Sequence, residues 1–289
     1  MSPPLSHTAR VSEPLPTPQA VPAGAQLTDL PMVKQGRADR LKAAGIDTVE
    51  KLWKADLAKL AEHPVFQTDD GFLGQLPLLQ GFAEAHAKGK PVVYAADSRI
   101  FELKEPIYHV DLEFDGPACE IFLWGILEHK SGRIEQWFDH QRKGQEEMVL
   151  RFQKLVKDED PTIIMWGGHS SDILQIRRAC DRYRMPTDWV RKVHWFDLQT
   201  DLVFTGNPET QRVYLPVKNF SSDTVAKYFG YEKPRLRVRD GYQALKMYQA
   251  YKRHPRPGIK EDLEAYNAED VKHTRIVLDG VRDLMKGHR

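Results

Sequence analysis

Cysteine is nearly absent. The 289-residue chain has two, Cys119 and Cys180, far apart and in no C-x-x-C pair. That excludes a disulfide framework and a cysteine-ligated zinc site, and it fits a reducing compartment. Long apolar runs are missing too, so no stretch reaches the length of a membrane span. The first residues lack a charged start followed by an apolar core, which argues against a secretory leader. Nor is there bulk charge of one sign, because 42 Lys and Arg face 41 Asp and Glu. A nucleic-acid binder of this composition would need a local basic surface. Together these absences lead to the expectation of a soluble, cytoplasmic protein.

What is present divides the chain. Residues 1–26 carry Pro3, Pro4, Pro14, Pro16, Pro18 and Pro22 with few large apolar side chains, the composition of a disordered lead-in. From Leu27 the composition shifts. Leu27, Leu30 and Val33 precede a helical pattern through Ala38 and Leu41, for which Gly45 is a suitable stop. Asp47 and Glu50 have the spacing of a capping box ahead of Leu52, Trp53, Leu57 and Leu60. A longer helix is expected over 73–87, closing at Gly89. Residues 27–90 thus read as a small all-α N-terminal domain with a connecting helix, and 91–289 as a larger domain.

In the larger domain three strands are expected, over 108–115, 121–128 and 133–138. Gly116-Pro117 and Lys130-Ser131-Gly132 join them with residues that suit an antiparallel meander. A helix over 145–157, a buried strand over 162–166, a helix over 173–182 and a strand over 193–198 follow. Helices over 222–229, 242–251 and 261–285 complete the pattern. This order predicts an α/β fold, a mixed sheet (antiparallel meander plus parallel strands) flanked by helices.

The first strand, Tyr108-His109-Val110-Asp111-Leu112-Glu113-Phe114-Asp115, alternates apolar and acidic residues and so puts its acids on one face. Carboxylates that close repel one another. They are tolerated either where a divalent cation sits among them or where the face is turned to water, and the strand alone leaves both readings open. Two more acids can reach the same point. Asp172 lies just past the fourth strand, at a helix start, and Asp270 lies on the last helix with Tyr266 one turn before it. Asp197 reads either as an extra ligand or, more simply, as a cap for a helix or turn, and Asp115 either as a ligand or as the start of the Gly116-Pro117 turn. Lys233, Arg235, Arg237 and Arg239 alternate, and in an extended segment would form a rail for phosphates.

The D-x-E of Asp111 and Glu113, the later Asp172 and the Y-x-x-x-D of Tyr266 and Asp270 resemble the DEDD exonucleases of the tyrosine subclass. Closer still, residues 107–284 resemble the YprB-type ribonuclease H-like domain of RecB-family nucleases. Supporting matches are the 215–230 stretch, Asp240-Gly241 followed by Tyr248, and Tyr266-Asn267-Ala268-Glu269-Asp270. Residues 45–52 and 89–92 resemble the helix-hairpin-helix region and linker that precede such domains. The hairpin over 30–36 lacks the usual two close glycines and has Met32 and Lys34 in their places. Many such exonucleases carry an Asn and an aromatic before the second acid, where this chain has Gly167 and Ser171.

The resemblance implies a ribonuclease H-like fold and a metal-dependent 3′–5′ exonuclease that hydrolyses DNA or RNA phosphodiesters by a two-metal mechanism. It assigns Asp111, Glu113, Asp172 and Asp270 to two Mg²⁺ or Mn²⁺ ions, and gives Tyr266 the role of orienting the attacking water. Single-stranded DNA or RNA is the implied partner, with room for a nuclease or helicase as a protein partner and no membrane. The other function left open is a non-catalytic ribonuclease H-like module that binds nucleic acid or docks a partner.

Overall fold

A computed structural model describes residues 24–66, 70–116, 120–139, 144–169 and 171–288. The Pro-rich lead-in up to residue 23, Pro117 of the first expected turn, and Cys119 lie outside the described residues; Cys180 is buried and unbridged. In chain order the first elements are α1 (Gln35–Ala43), α2 (Val49–Trp53), α3 (Leu57–Ala61), α4 (Asp70–Leu73), α5 (Leu76–Lys88) and the two-residue β1 (Val92–Val93). Next come β2 (Ile107–Asp115), β3 (Glu120–Glu128), β4 (Ile134–Phe138), α6 (Gly144–Glu159), β5 (Thr162–Met165), α7 (Asp172–Arg182) and β6 (His194–Asp197). The last are β7 (Val213–Tyr214), α8 (Ser222–Tyr228), α9 (Gly241–Arg253) and α10 (Pro257–Lys286). No helix among the described residues is long and apolar enough to cross a membrane.

The chain forms two compact units that do not follow chain order. One consists of Glu102–Asp197 and Glu232–Arg275; the other of Leu198–Tyr231, Ile276–Arg289 and the described part of Pro16–Phe101.

The first unit is built on a five-stranded sheet in the order β4-β3-β2-β5-β6. β2, β3 and β4 pair antiparallel, while β5 adds parallel to β2 and β6 parallel to β5, each reached through a helix. The expected mixed α/β sheet flanked by helices is therefore present. Val110 and Leu112 of β2 lie beside their register partners Ile126 and Trp124 of β3, and this face buries Met148 and Phe152 of α6 and Ile176 of α7. A second core joins Phe122 and Leu123 of β3 to Ala244 and Tyr248 of α9 and to Leu263 and Tyr266 of α10. With helices over both faces, the acids on β2 are largely shielded from water: Glu113 and Asp115 are buried and Asp111 is half-buried.

The second unit holds α1–α5 and packs Phe82 of α5 against Phe204, Tyr214 and Phe220. Gln80 Nε2 donates to the carbonyls of Trp53 and Ala55 at 3.0 and 2.8 Å, closing the end of α2. α1 stops where expected. Gly45 takes φ +82° and donates to Lys42 O at 2.9 Å, while Ile46 donates to Leu41 O at 2.9 Å. This is the double closure of a left-handed helix end. The expected capping box at Asp47 is corrected. Thr48 is the residue with extended backbone, and its side chain accepts from Lys51 N at 3.1 Å. Asp47, one residue too early, pairs with the Lys51 ammonium instead. In the turn before α1, Met32 occupies a glycine-like φ of +68°.

Candidate metal centre

β2 and α10 bring three acids together. Carboxylate oxygens of Asp111, Glu113 and Asp270 all lie within 4.8 Å of one another. The spacing that achieves this is local on both elements. Alternation on β2 puts Asp111 and Glu113 on the face that α10 covers, and the helical repeat of α10 points Tyr266, Asn267, Asp270, His273 and Thr274 at that face. Thr274 docks the helix further along, its hydroxyl 3.0 Å from Nδ1 of His109, two residues before Asp111.

Glu113 is buried, Asp111 remains partly open to solvent, and the Asp270 side chain is 16% exposed. The cluster is thus mostly buried yet reachable from solvent at Asp111 and Asp270. Asp270 is gripped by neighbours: Lys233 Nζ lies 3.3 Å and His273 Nδ1 3.5 Å from its Oδ1. Lys233 also stands over the Tyr266 ring, 4.9 Å from its centroid. Asn267, fully buried, donates from Nδ2 to Asp111 Oδ2 at 2.8 Å and to Asp111 O at 3.2 Å.

Asp172 comes from a different element. It opens α7 just past the carboxyl end of β5, the strand parallel to β2, and it is buried. It does not belong to the group of three acids within 4.8 Å. Its charge nevertheless reaches both Asp111 and Glu113. The turn that carries it is tied by Asp197, whose oxygens accept from Gly167 N at 2.8 Å and His169 N at 3.2 Å. Asp197 therefore caps this turn, as the sequence suggested. Asp115 stays outside the cluster as well. Beyond a bulge at Glu113/Phe114 it faces α9, with Gln249 Nε2 at 3.4 Å and Lys252 Nζ at 3.8 Å.

The electrostatics follow from this packing. Burial raises the Asp111 carboxyl well above its ordinary range, the charges of Asp270 and Asp172 add to the rise, and the Asn267 hydrogen bond and Lys233 oppose it. Glu113 is raised in the same way, by burial and then by Asp111, Asp270 and Asp172. Burial also pushes Asp172 up to about 7, helped by Asp197 and opposed by a hydrogen bond from Ser171. Burial, the charges of Asp270, Glu113 and Asp111, and a hydrogen bond to Asp270 drive the Tyr266 hydroxyl far above the tyrosine range. Carboxylates held this close short of positive charge either keep protons or take a cation. An all-oxygen donor set suits a hard divalent ion.

The alternating basic residues separate. The 232–240 segment has no regular structure; Lys233 turns inward to Asp270, and Arg237 pairs with Asp262 at 3.3 Å. Arg235 and Arg239 are exposed. Asn267 and the inward turn of Lys233 were not foreseen as parts of the site. The available signal for Asn267 was an amide inside a helix, unfavourable unless it bonds to something specific.

A family model described as RNase_H_2, of the RNase_H superfamily, matches residues 108–281. No curated protein matches the sequence. Among solved structures, the chain is similar to the family B DNA polymerase from the hyperthermophilic archaeon Pyrobaculum calidifontis, at 16% identity and a TM-score of 0.46. That match covers 62% of this chain and 24% of the polymerase chain, so it spans about a quarter of the polymerase.

Proposed function

Since the chain belongs to the RNase H superfamily, we propose that it is a metal-dependent nuclease, acting as a 3′–5′ exonuclease on single-stranded DNA or RNA. The observation that carries this reading is the convergence of Asp111, Glu113 and Asp270 within 4.8 Å at a partly solvent-reachable cluster. A structural domain gains nothing from three such acids, whose burial costs stability. The YprB-type tyrosine-subclass assignment belongs to the same proposal.

Asp111, Glu113 and Asp270 would hold Mg²⁺ or Mn²⁺, with Asp172 completing the set for a second ion. When bound, the ions would supply Lewis acidity toward a water molecule and balance the charge that grows on the scissile phosphate. Burial and the neighbouring carboxylates favour the protonated Tyr266 hydroxyl, which would orient the attacking water. Lys233, already beside Asp270, would meet a phosphate oxygen of the bound strand. Exposed Arg235 and Arg239 would track the strand backbone. The helices over 27–90 are proposed as a helix-hairpin-helix-like nucleic-acid-binding element.

The test is cleavage of end-labelled single-stranded DNA and RNA in Mg²⁺, Mn²⁺ or EDTA, with Asp111→Asn beside the wild type. A metal-dependent ladder shortening from the 3′ end, lost in the variant, is expected. If both proteins bind the strands and neither cuts, the nuclease reading fails and a non-catalytic binding module takes its place.

A further inference from the structure

We propose that Asn267 is a positioning residue for Asp111, with its amide aimed by Gln136 and admitted by Gly125; the inference rests on the metal-dependent reading above. Register places Asp111, Gly125 and Gln136 side by side across β2, β3 and β4. Asn267 comes down from α10 onto the middle of this row. A Cβ on Gly125 would overlap the Asn267 amide, so the missing side chain is what lets the helix reach the sheet.

The amide is oriented by a relay. Gln136 Nε2 donates to Glu264 O at 2.8 Å, and a backbone carbonyl can only accept. The same nitrogen lies 3.0 Å from Asn267 Oδ1, which must therefore be the acceptor. That leaves Asn267 Nδ2 facing Asp111, where its two hydrogens meet Oδ2 and the backbone oxygen of the same residue. Asp111 is thereby held at its carboxylate and its main chain by one group. Its carboxylate cannot turn away from Glu113 and Asp270 without breaking the 2.8 Å bond. The donor favours the charged carboxylate, the form a cation needs.

Asn267→Ala removes the donor. Gln136→Glu leaves Asn267 in place but reverses it, because a carboxylate at 136 accepts from Nδ2 and turns Oδ1 toward Asp111. Mn²⁺ binding to the full chain by calorimetry, without substrate, reads the effect directly. In both variants, with wild-type melting behaviour, Mn²⁺ affinity is expected to fall about 10-fold or more. The Mn²⁺ concentration for half-maximal cleavage should rise by the same factor, with KM for the strand unchanged. Wild-type Mn²⁺ affinity in Asn267→Ala, or in Gln136→Glu should Asn267→Ala not fold, overturns the proposal. A wild-type protein that binds Mn²⁺ but cuts nothing, while the variants bind it weakly, sinks the nuclease reading alone. A wild-type protein that binds no Mn²⁺ overturns both.

Discussion

Asp172 carries a carboxyl raised from 3.8 to about 7, so the folded protein holds a proton that the unfolded chain releases. For a raised acid the stability contribution is full below the unfolded value and is lost as pH rises through the folded one. In EDTA, stability should therefore decline between about pH 4 and 7, with this one group contributing up to about 1.4 kcal/mol per pH unit. Thermal melts of wild type and Asp172→Asn across that window check this; equal slopes would remove Asp172 as a source. Asp111→Asn should abolish cleavage, by about 10³-fold or more, yet leave the metal-free melting temperature equal or higher, because it removes a penalised charge. A lower one would make Asp111 a structural acid. The three converging acids were visible in the sequence as a D-x-E strand and a helical Tyr–Asp pair. Lys233 and Asn267 were not visible in those roles, because their partners are Asp270 and Gln136, which only tertiary packing brings to them.

At the scale of elements, helix stops and strand alternation were readable because they depend on neighbours in sequence. Gly45 is an example. Nothing lies within 4 Å of where its Cβ would be, so Gly45→Ala tests the backbone alone. With φ at +82°, the substitution should cost about 1 kcal/mol in a denaturant titration. No loss would mean that the turn relaxes. The two-residue strands β1 and β7 escaped notice because two residues carry no period. The basic segment over 233–239 was read as one rail, but an irregular backbone has no fixed face. Arg235→Ala plus Arg239→Ala should lower the slope of log affinity against log salt by about 2 on any strand. Arg237→Ala should change it less, since Asp262 already neutralises it. Equal slopes for all would show that the segment does not meet phosphate.

Across the whole molecule, the mixed sheet was legible because an antiparallel meander followed by strand–helix alternation leaves few ways to build one sheet. Its division into units interleaved along the chain was not, since such grouping depends on contacts distant in sequence. Folding assembles acids from β2 and α10 into one site that the unfolded chain lacks, so a cation that binds there should stabilise the fold. At free Mn²⁺ about 100 times its Kd the gain should be about 2.7 kcal/mol. The gain should grow from pH 6 to pH 8 as protons leave the carboxylates. A melting temperature indifferent to Mn²⁺ would show that the acids do not bind it. Gly125 extends beyond this one protein. In this packing a side chain there and an amide at 267 exclude each other. Related chains that keep the asparagine should keep the glycine, and one with a side chain at 125 beside an asparagine at 267 would mark a lineage whose sheet and last helix have drifted apart.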